Sequence, residues 1–134
     1  MLDDFAHHPT AVHETLSALR AGYPARRVWA IFEPRSASSC RRVFQEAFAA
    51  SFAPADEVVI AQVYRAQLPD DERLSPERLV ADLRAAGRHA RYVPQVDGIV
   101  ALLASEVRAG DIVVVMSNGG FGGIHAKLLA AIAT

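Results

Sequence analysis

Asp111-Ile112-Val113-Val114-Val115-Met116 runs directly into Ser117-Asn118-Gly119-Gly120-Phe121-Gly122-Gly123-Ile124-His125. The first part is the most apolar run in the chain and predicts a buried strand. The second holds four glycines within five positions, a density that packing does not ask for. Glycine weakens helices and strands, and it is favoured where φ must be positive or the backbone must lie against a ligand. Beyond the glycines, Ile124, Leu128, Leu129 and Ile132 recur at helical spacing. Strand, glycine loop and helix N-terminus together form an arrangement that binds anions through backbone N–H groups and the helix dipole. The loop is neither a P-loop nor a clean G-x-G-x-x-G. A tight turn without a ligand would also satisfy it.

The same alternation extends back through the chain. Pro9 suits the first position of a helix that carries Val12, Leu16 and Leu19 and stops at Gly22-Tyr23-Pro24. Residues 27–33 read as a buried strand ending at Pro34. Val43, Phe44, Ala47 and Phe48 mark the apolar face of a second helix, and Pro54 breaks it. Residues 57–64 predict another strand, and residues 65–74 an exposed polar loop. Ser75-Pro76-Glu77 is a helix start, with an N-cap serine, proline at N1 and a carboxylate in the first turn. Leu79, Val80 and Leu83 give that helix its core face, and Gly87 its stop. A short strand over 89–93 is followed by a helix carrying Val96, Ile99, Val100, Leu103 and Val107, with Gly98 as a weak point. The strands assigned are 27–33, 57–64, 89–93 and 112–116. The strands are continuous apolar runs between helices. That pattern predicts a single-domain α/β fold: a Rossmann-like, mainly parallel sheet with helices on both faces. Ligands of such sheets lie beyond the carboxyl ends of the strands, so the loops 33–39, 64–74 and 117–123 are the candidate site.

Composition narrows the partners. The chain has 134 residues and a formal net charge of −1, which gives no electrostatic case for nucleic acid or a membrane surface. No apolar run approaches the roughly 20 residues that cross a bilayer, and the N-terminus does not read as a signal peptide. Cys40 is the only cysteine, so a disulfide framework is excluded and a cytoplasmic location is expected. Cys40 reads as a structural thiol, and Trp29 as core.

Asp3-Asp4-Phe5-Ala6-His7-His8-Pro9-Thr10 is dense in functional side chains. A carboxylate there can accept from ribose hydroxyls, an aromatic ring can stack on a base, and imidazoles can act near phosphate. Exposed side chains around a helix start are the plain alternative. His7, His8 and His13 are metal-ligand types, but a spacing of five between His8 and His13 does not share one helix face, so no metal site is expected. Arg35, just beyond a strand end, is suited to bidentate carboxylate recognition, whereas Arg41 and Arg42 read as solvated. Neither a Ser-His-Asp pattern nor paired catalytic carboxylates nor a triphosphate cradle is present. No catalytic residue is expected within the chain, which therefore reads as part of an enzyme or as a binding module.

The Asp3–Thr10 segment resembles the motif that opens the C-terminal domain of Mur ligases. Phe32-Glu33-Pro34-Arg35-Ser36 and the 117–125 segment are similar to the murein peptide ligase branch, where the L-alanine-adding branch would show F-Q-P-H-x-Y and G-A-G. The resemblance covers essentially the whole chain. It implies a Rossmann-like domain that closes over a central ATPase domain of the same chain. It implies ATP and Mg2+ as cofactors of the full-length enzyme, and UDP-N-acetylmuramate and a recovered L-alanyl-γ-D-glutamyl-meso-diaminopimelate tripeptide as substrates. By resemblance, Asp4 contacts the ATP ribose, Phe5 lies against the adenine, and His7 and His8 lie near the nucleotide. Arg35, Ser117, Asn118, Gly119, Gly120 and Phe121 would hold the incoming peptide. The N-terminal and central domains of the family do not occur in residues 1–134, so the chain is expected to be an inactive piece of a longer ligase. A UDP-N-acetylmuramate–L-alanine ligase domain and a non-catalytic nucleotide- or peptide-binding module are the alternatives. A dinucleotide oxidoreductase is disfavoured, because its glycine loop would follow the first strand.

Overall fold

Val28-Trp29-Ala30-Ile31-Phe32 and Ile112-Val113-Val114-Val115-Met116 are runs of branched and aromatic side chains, and both are buried along their whole length. Such runs fit a strand covered on both faces. The computed structural model describes residues 2–4, 9–33, 45–62 and 75–116, with side chains at 10–33, 47–62 and 75–116. The strands are β1 (Leu2–Asp4), β2 (Val28–Phe32), β3 (Glu57–Ile60), β4 (His89–Tyr92) and β5 (Ile112–Met116). The helices are α1 (Pro9–Gly22), α2 (Gln45–Ser51), α3 (Pro76–Ala85) and α4 (Val96–Glu106).

All strand pairs are parallel, in the order β1-β5-β2-β3-β4. The period-2 alternation of strand side chains divides the core in two. Val28, Ala30, Phe32, Val58, Ile60 and Val114 pack against Val12 and Leu16 of α1, Phe48 of α2, and Leu79 and Leu83 of α3. Trp29, Ile31, Val59, Val113 and Val115 pack against Ile99 and Leu103 of α4. From β2 to β4 the chain steps outward with its helices on one face. It then returns to β5 with α4 on the other face, as a fixed crossover hand requires when the direction reverses.

Several expectations need correction. Leu2–Asp4 is a strand, paired with β5, where none was assigned. Three residues with two aspartates carry little strand propensity, and the pairing comes from the free edge of β5. In α2, Ala47 is exposed. The buried stripe is instead Phe48, Ser51, Phe52 and Ala55, at i, i+3, i+4 and i+7. Phe52 and Phe48 both pack on Phe32, with ring centroids 5.5 and 5.0 Å away. β3 ends at Ile60, before the 57–64 run does. The α3 expectations are met: the Ser75 hydroxyl accepts the Arg78 N–H at 3.2 Å, and Gly87 turns at φ +83°. Val43, Phe44, the loop expected over 65–74 and the helix expected over 124–132 fall outside the described residues.

Candidate functional site

The register of the five strands lines up their last residues. Asp4 pairs with Met116, Met116 with Phe32, Phe32 with Ile60, and Ile60 with Tyr92. Every connection that leaves a strand at its carboxyl end therefore starts from one row. Hydrogen bonds continue across that row past the strand ends. Glu33 N–H donates to Met116 O at 3.1 Å, Ala61 N–H to Phe32 O at 2.9 Å, and Val93 N–H to Ile60 O at 3.0 Å. The edge is a stitched platform, the kind of rigid base from which loops hold ligands.

Of the sequence candidates, Asp4 closes β1 beside the last residue of β5. Phe5, His7, His8, Arg35, Ser117, Asn118, Gly119, Gly120 and Phe121 lie outside the described residues, as do Cys40, Arg41 and Arg42. His13 is an exposed residue of α1. Among the described residues, no group of three or more His, Cys, Asp or Glu is placed to hold a metal ion. No helix among them is long and apolar enough to cross a membrane.

Glu33, which sequence reasoning passed over in favour of Arg35, is 8% exposed and sits at the centre of the platform. A signal for it was available: a residue before proline is driven to extended backbone, so Glu33 continues the line of β2.

The opposite, amino-terminal edge is a polar clasp that sequence reasoning did not find. Asp111 Oδ2 accepts from Arg27 Nε at 3.1 Å and Nη2 at 2.8 Å, from Trp29 Nε1 at 3.0 Å and from the Arg108 N–H at 3.0 Å. Burial pushes the Asp111 carboxyl up, but the hydrogen bonds from Arg27, the Arg108 amide and Trp29 outweigh it and hold the group below its ordinary value. Arg27 is raised in turn, first by its hydrogen bond to Asp111. Its guanidinium lies 4.9 Å from the Trp29 ring centroid and reaches Glu57 at 3.8 Å. Glu57 also meets His89 Nδ1 at 3.2 Å. Asp56 joins Arg20 to the Val28 N–H. These contacts tie together the starts of β2, β3, β4 and β5. A cleft of about 380 Å³ at this edge is lined by Arg27, Asp56, Glu57, Arg88 and His89. Arg27, Asp56 and Glu57, its central charged walls, already neutralise one another or neighbouring groups, and the cleft lies at the wrong end of the strands for the ligand of a parallel sheet.

A parallel α/β sheet whose strand ends bring Asp4 beside Met116 matches a known family. The profile described as "Mur ligase, glutamate ligase domain" matches residues 1–119. The chain belongs to that family.

Among Mur ligases, the UDP-N-acetylmuramate–L-alanine ligase of Desulfitobacterium hafniense is 36% identical over 89% of this chain and 26% of its own length. The UDP-N-acetylmuramate–L-alanyl-γ-D-glutamyl-meso-2,6-diaminoheptandioate ligase of Escherichia coli is 37% identical over 98% of this chain and 27% of its own. The crystal structure of a murein peptide ligase from Psychrobacter arcticus superposes with a TM-score of 0.79 at 34% identity, covering 98% of this chain and 27% of that one. The chain thus spans about a quarter of the length of these relatives.

Proposed function

We propose that this chain is the C-terminal domain of an ATP-dependent amide ligase. The ligase joins a recovered L-alanyl-γ-D-glutamyl-meso-diaminopimelate peptide to UDP-N-acetylmuramate in peptidoglycan recycling. The observation that carries the reading is the pairing of Asp4 with Met116. The segment that resembles the family's nucleotide motif and the glycine segment assigned to the incoming substrate start from neighbouring strands, so one ligand cleft can use both. Asp4, Phe5, His7 and His8 would hold ribose, base and phosphate. Arg35, Ser117, Asn118, Gly119, Gly120 and Phe121 would hold the peptide. ATP supplies the phosphoryl group that turns the muramate carboxylate into an acyl phosphate, with Mg2+ held by the central domain. The peptide amine then attacks that carbonyl and phosphate leaves. The choice of peptide over free L-alanine rests on Phe32-Glu33-Pro34-Arg35-Ser36 and the 117–125 segment. The similarity to the D. hafniense enzyme favours L-alanine as the second reading.

An assay of the full-length ligase with tripeptide and with free L-alanine separates the two. Higher kcat/KM with the tripeptide is expected. Preference for L-alanine would transfer the chain to the second reading. In the same enzyme, Gly120→Val should raise the peptide KM more than the ATP KM, and the reverse would make the glycine loop a phosphate site.

A further inference from the structure

Two arginines at the amino-terminal edge stand outside the clasp. Arg26 and Arg108 are exposed, and with Arg27 they line a cleft of about 310 Å³ between the start of β2 and the turn that leads into β5. Asp111 is the acid in its wall. Its Oδ2 is engaged by Arg27, Trp29 and the Arg108 N–H. Arg27 is thereby neutralised. It also covers the Glu106 carbonyl at the end of α4, where a bare helix terminus would repel an anion. Arg26 and Arg108 have no such counter-charge. Among the described residues, the Arg26 guanidinium meets only the Tyr23 ring, 5.7 Å from its centroid. That stack holds the guanidinium by its face and leaves its N–H edge free. Arg108 makes its one bond, to Asp111, through the backbone, and its guanidinium has no hydrogen bond or ion pair. Gly110 brings no side chain to fill the cleft. The cleft thus keeps two positive charges in a chain whose formal net charge is −1.

We infer that the Arg26–Arg108 cleft is an anion site that takes a phosphate group. A guanidinium presents its donors in a planar fork that matches phosphate oxygens two at a time. Two unpaired forks on one cleft suit a dianion better than a singly charged carboxylate. A nucleic acid is a poor fit, because its backbone needs a longer row of cations than one cleft supplies. The cleft lies at the end of the strands opposite the loops that hold the ligand of a parallel sheet. The inference rests on the described side chains alone and stands whichever substrate the ligase takes.

The test titrates inorganic phosphate, phenyl phosphate and acetate, at equal ionic strength, into the 134-residue chain. The amide resonances of Arg26, Arg108 and Gly110 are followed by NMR. Both phosphates should shift these amides to saturation, and acetate should bind roughly 10-fold more weakly. Equal affinity for the two phosphates assigns the site to the free ion, and tighter binding of phenyl phosphate to a phosphorylated molecule. Arg26→Gln and Arg108→Gln should each weaken phosphate binding about 10-fold, the scale of a lost charge-assisted hydrogen bond. Arg108→Lys, which keeps the charge, should retain part of it. Arg88→Gln, at an exposed arginine outside this cleft, should change nothing. Arg26 and Arg108 are exposed, so neither glutamine variant should alter the unfolding temperature without phosphate. Shifts that bypass the three amides, or phosphate binding undiminished in both glutamine variants, would overturn the inference. Acetate binding as tightly as phosphate would overturn the assignment to a phosphate group.

Discussion

Asp111 is kept ionised in a site that is nearly closed to water, its side chain 9% exposed. Four donors converge on one oxygen, and hydrogen bonds to charged groups are the stronger kind. Removing the charge leaves Arg27 with only the more distant Glu57 and the Glu106 carbonyl at the base of the sheet. Asp111→Asn should therefore destabilise the domain by about 2 kcal/mol, the range for hydrogen bonds to a charged group, measured by urea unfolding at pH 7. The pH dependence has a defined sign. Because the folded carboxyl titrates below the ordinary 3.8, its contribution is fully present above that value and is lost as pH falls through the lower, folded one. The gap between wild type and Asp111→Asn should thus be widest near neutrality and narrow below about pH 4. A gap that widens on acidification would contradict the assignment.

Gly98 shows the same economy within an element. A glycine inside a helix costs roughly 0.5–1 kcal/mol relative to alanine. A Cβ at Gly98 would meet Val93 Cγ1 at 3.0 Å, where the chain enters α4 from β4. Close packing therefore replaces helix propensity there. Gly98→Ala should fail to deliver the usual gain, whereas Gly98→Ala in a Val93→Ala background should recover it relative to Val93→Ala alone. Equal effects in both backgrounds, read by thermal unfolding, would remove the packing explanation. At α3, Ser75→Ala should cost about 1 kcal/mol through loss of the N-cap bond to the Arg78 N–H. The start of α3 was legible because its signals are local: serine, proline and glutamate in consecutive positions. The α2 stripe was shifted, because Ala47 is small enough to stand on either face and only the neighbouring Phe32 ring shows that Phe52 is the inward residue. β1 was missed because its pairing partner is more than a hundred residues away in sequence.

The whole molecule divides its labour along the strands. Its amino edge is a clasp of satisfied charges that fixes strand starts, and its carboxyl edge is a level row from which the connections depart. Expressed alone, residues 1–134 should bind ATP no more tightly than micromolar and should show no ligation, since the chain spans about a quarter of its relatives' length. Calorimetry with ATP and a phosphate-release assay with both substrates check this, and sub-micromolar binding or turnover would sink it. Of the candidate site, the ends of β2 and β5, from which two of the motif segments continue, were legible. That Glu33 continues β2 could be read from the proline after it, but its burial could not, because burial at a strand end depends on what neighbouring strands place around it.

The sequence by itself determined the alternation of strands and helices, the parallel class of the sheet and the family motifs. Each of these is written in hydrophobic period, capping residues and short residue patterns, which act between near neighbours in the chain. Tertiary structure alone decided the order β1-β5-β2-β3-β4, the strand at Leu2–Asp4, the Arg27–Asp111–Trp29 clasp and the burial of Glu33. These depend on contacts between residues far apart in sequence, and their energies exist only once the sheet has assembled.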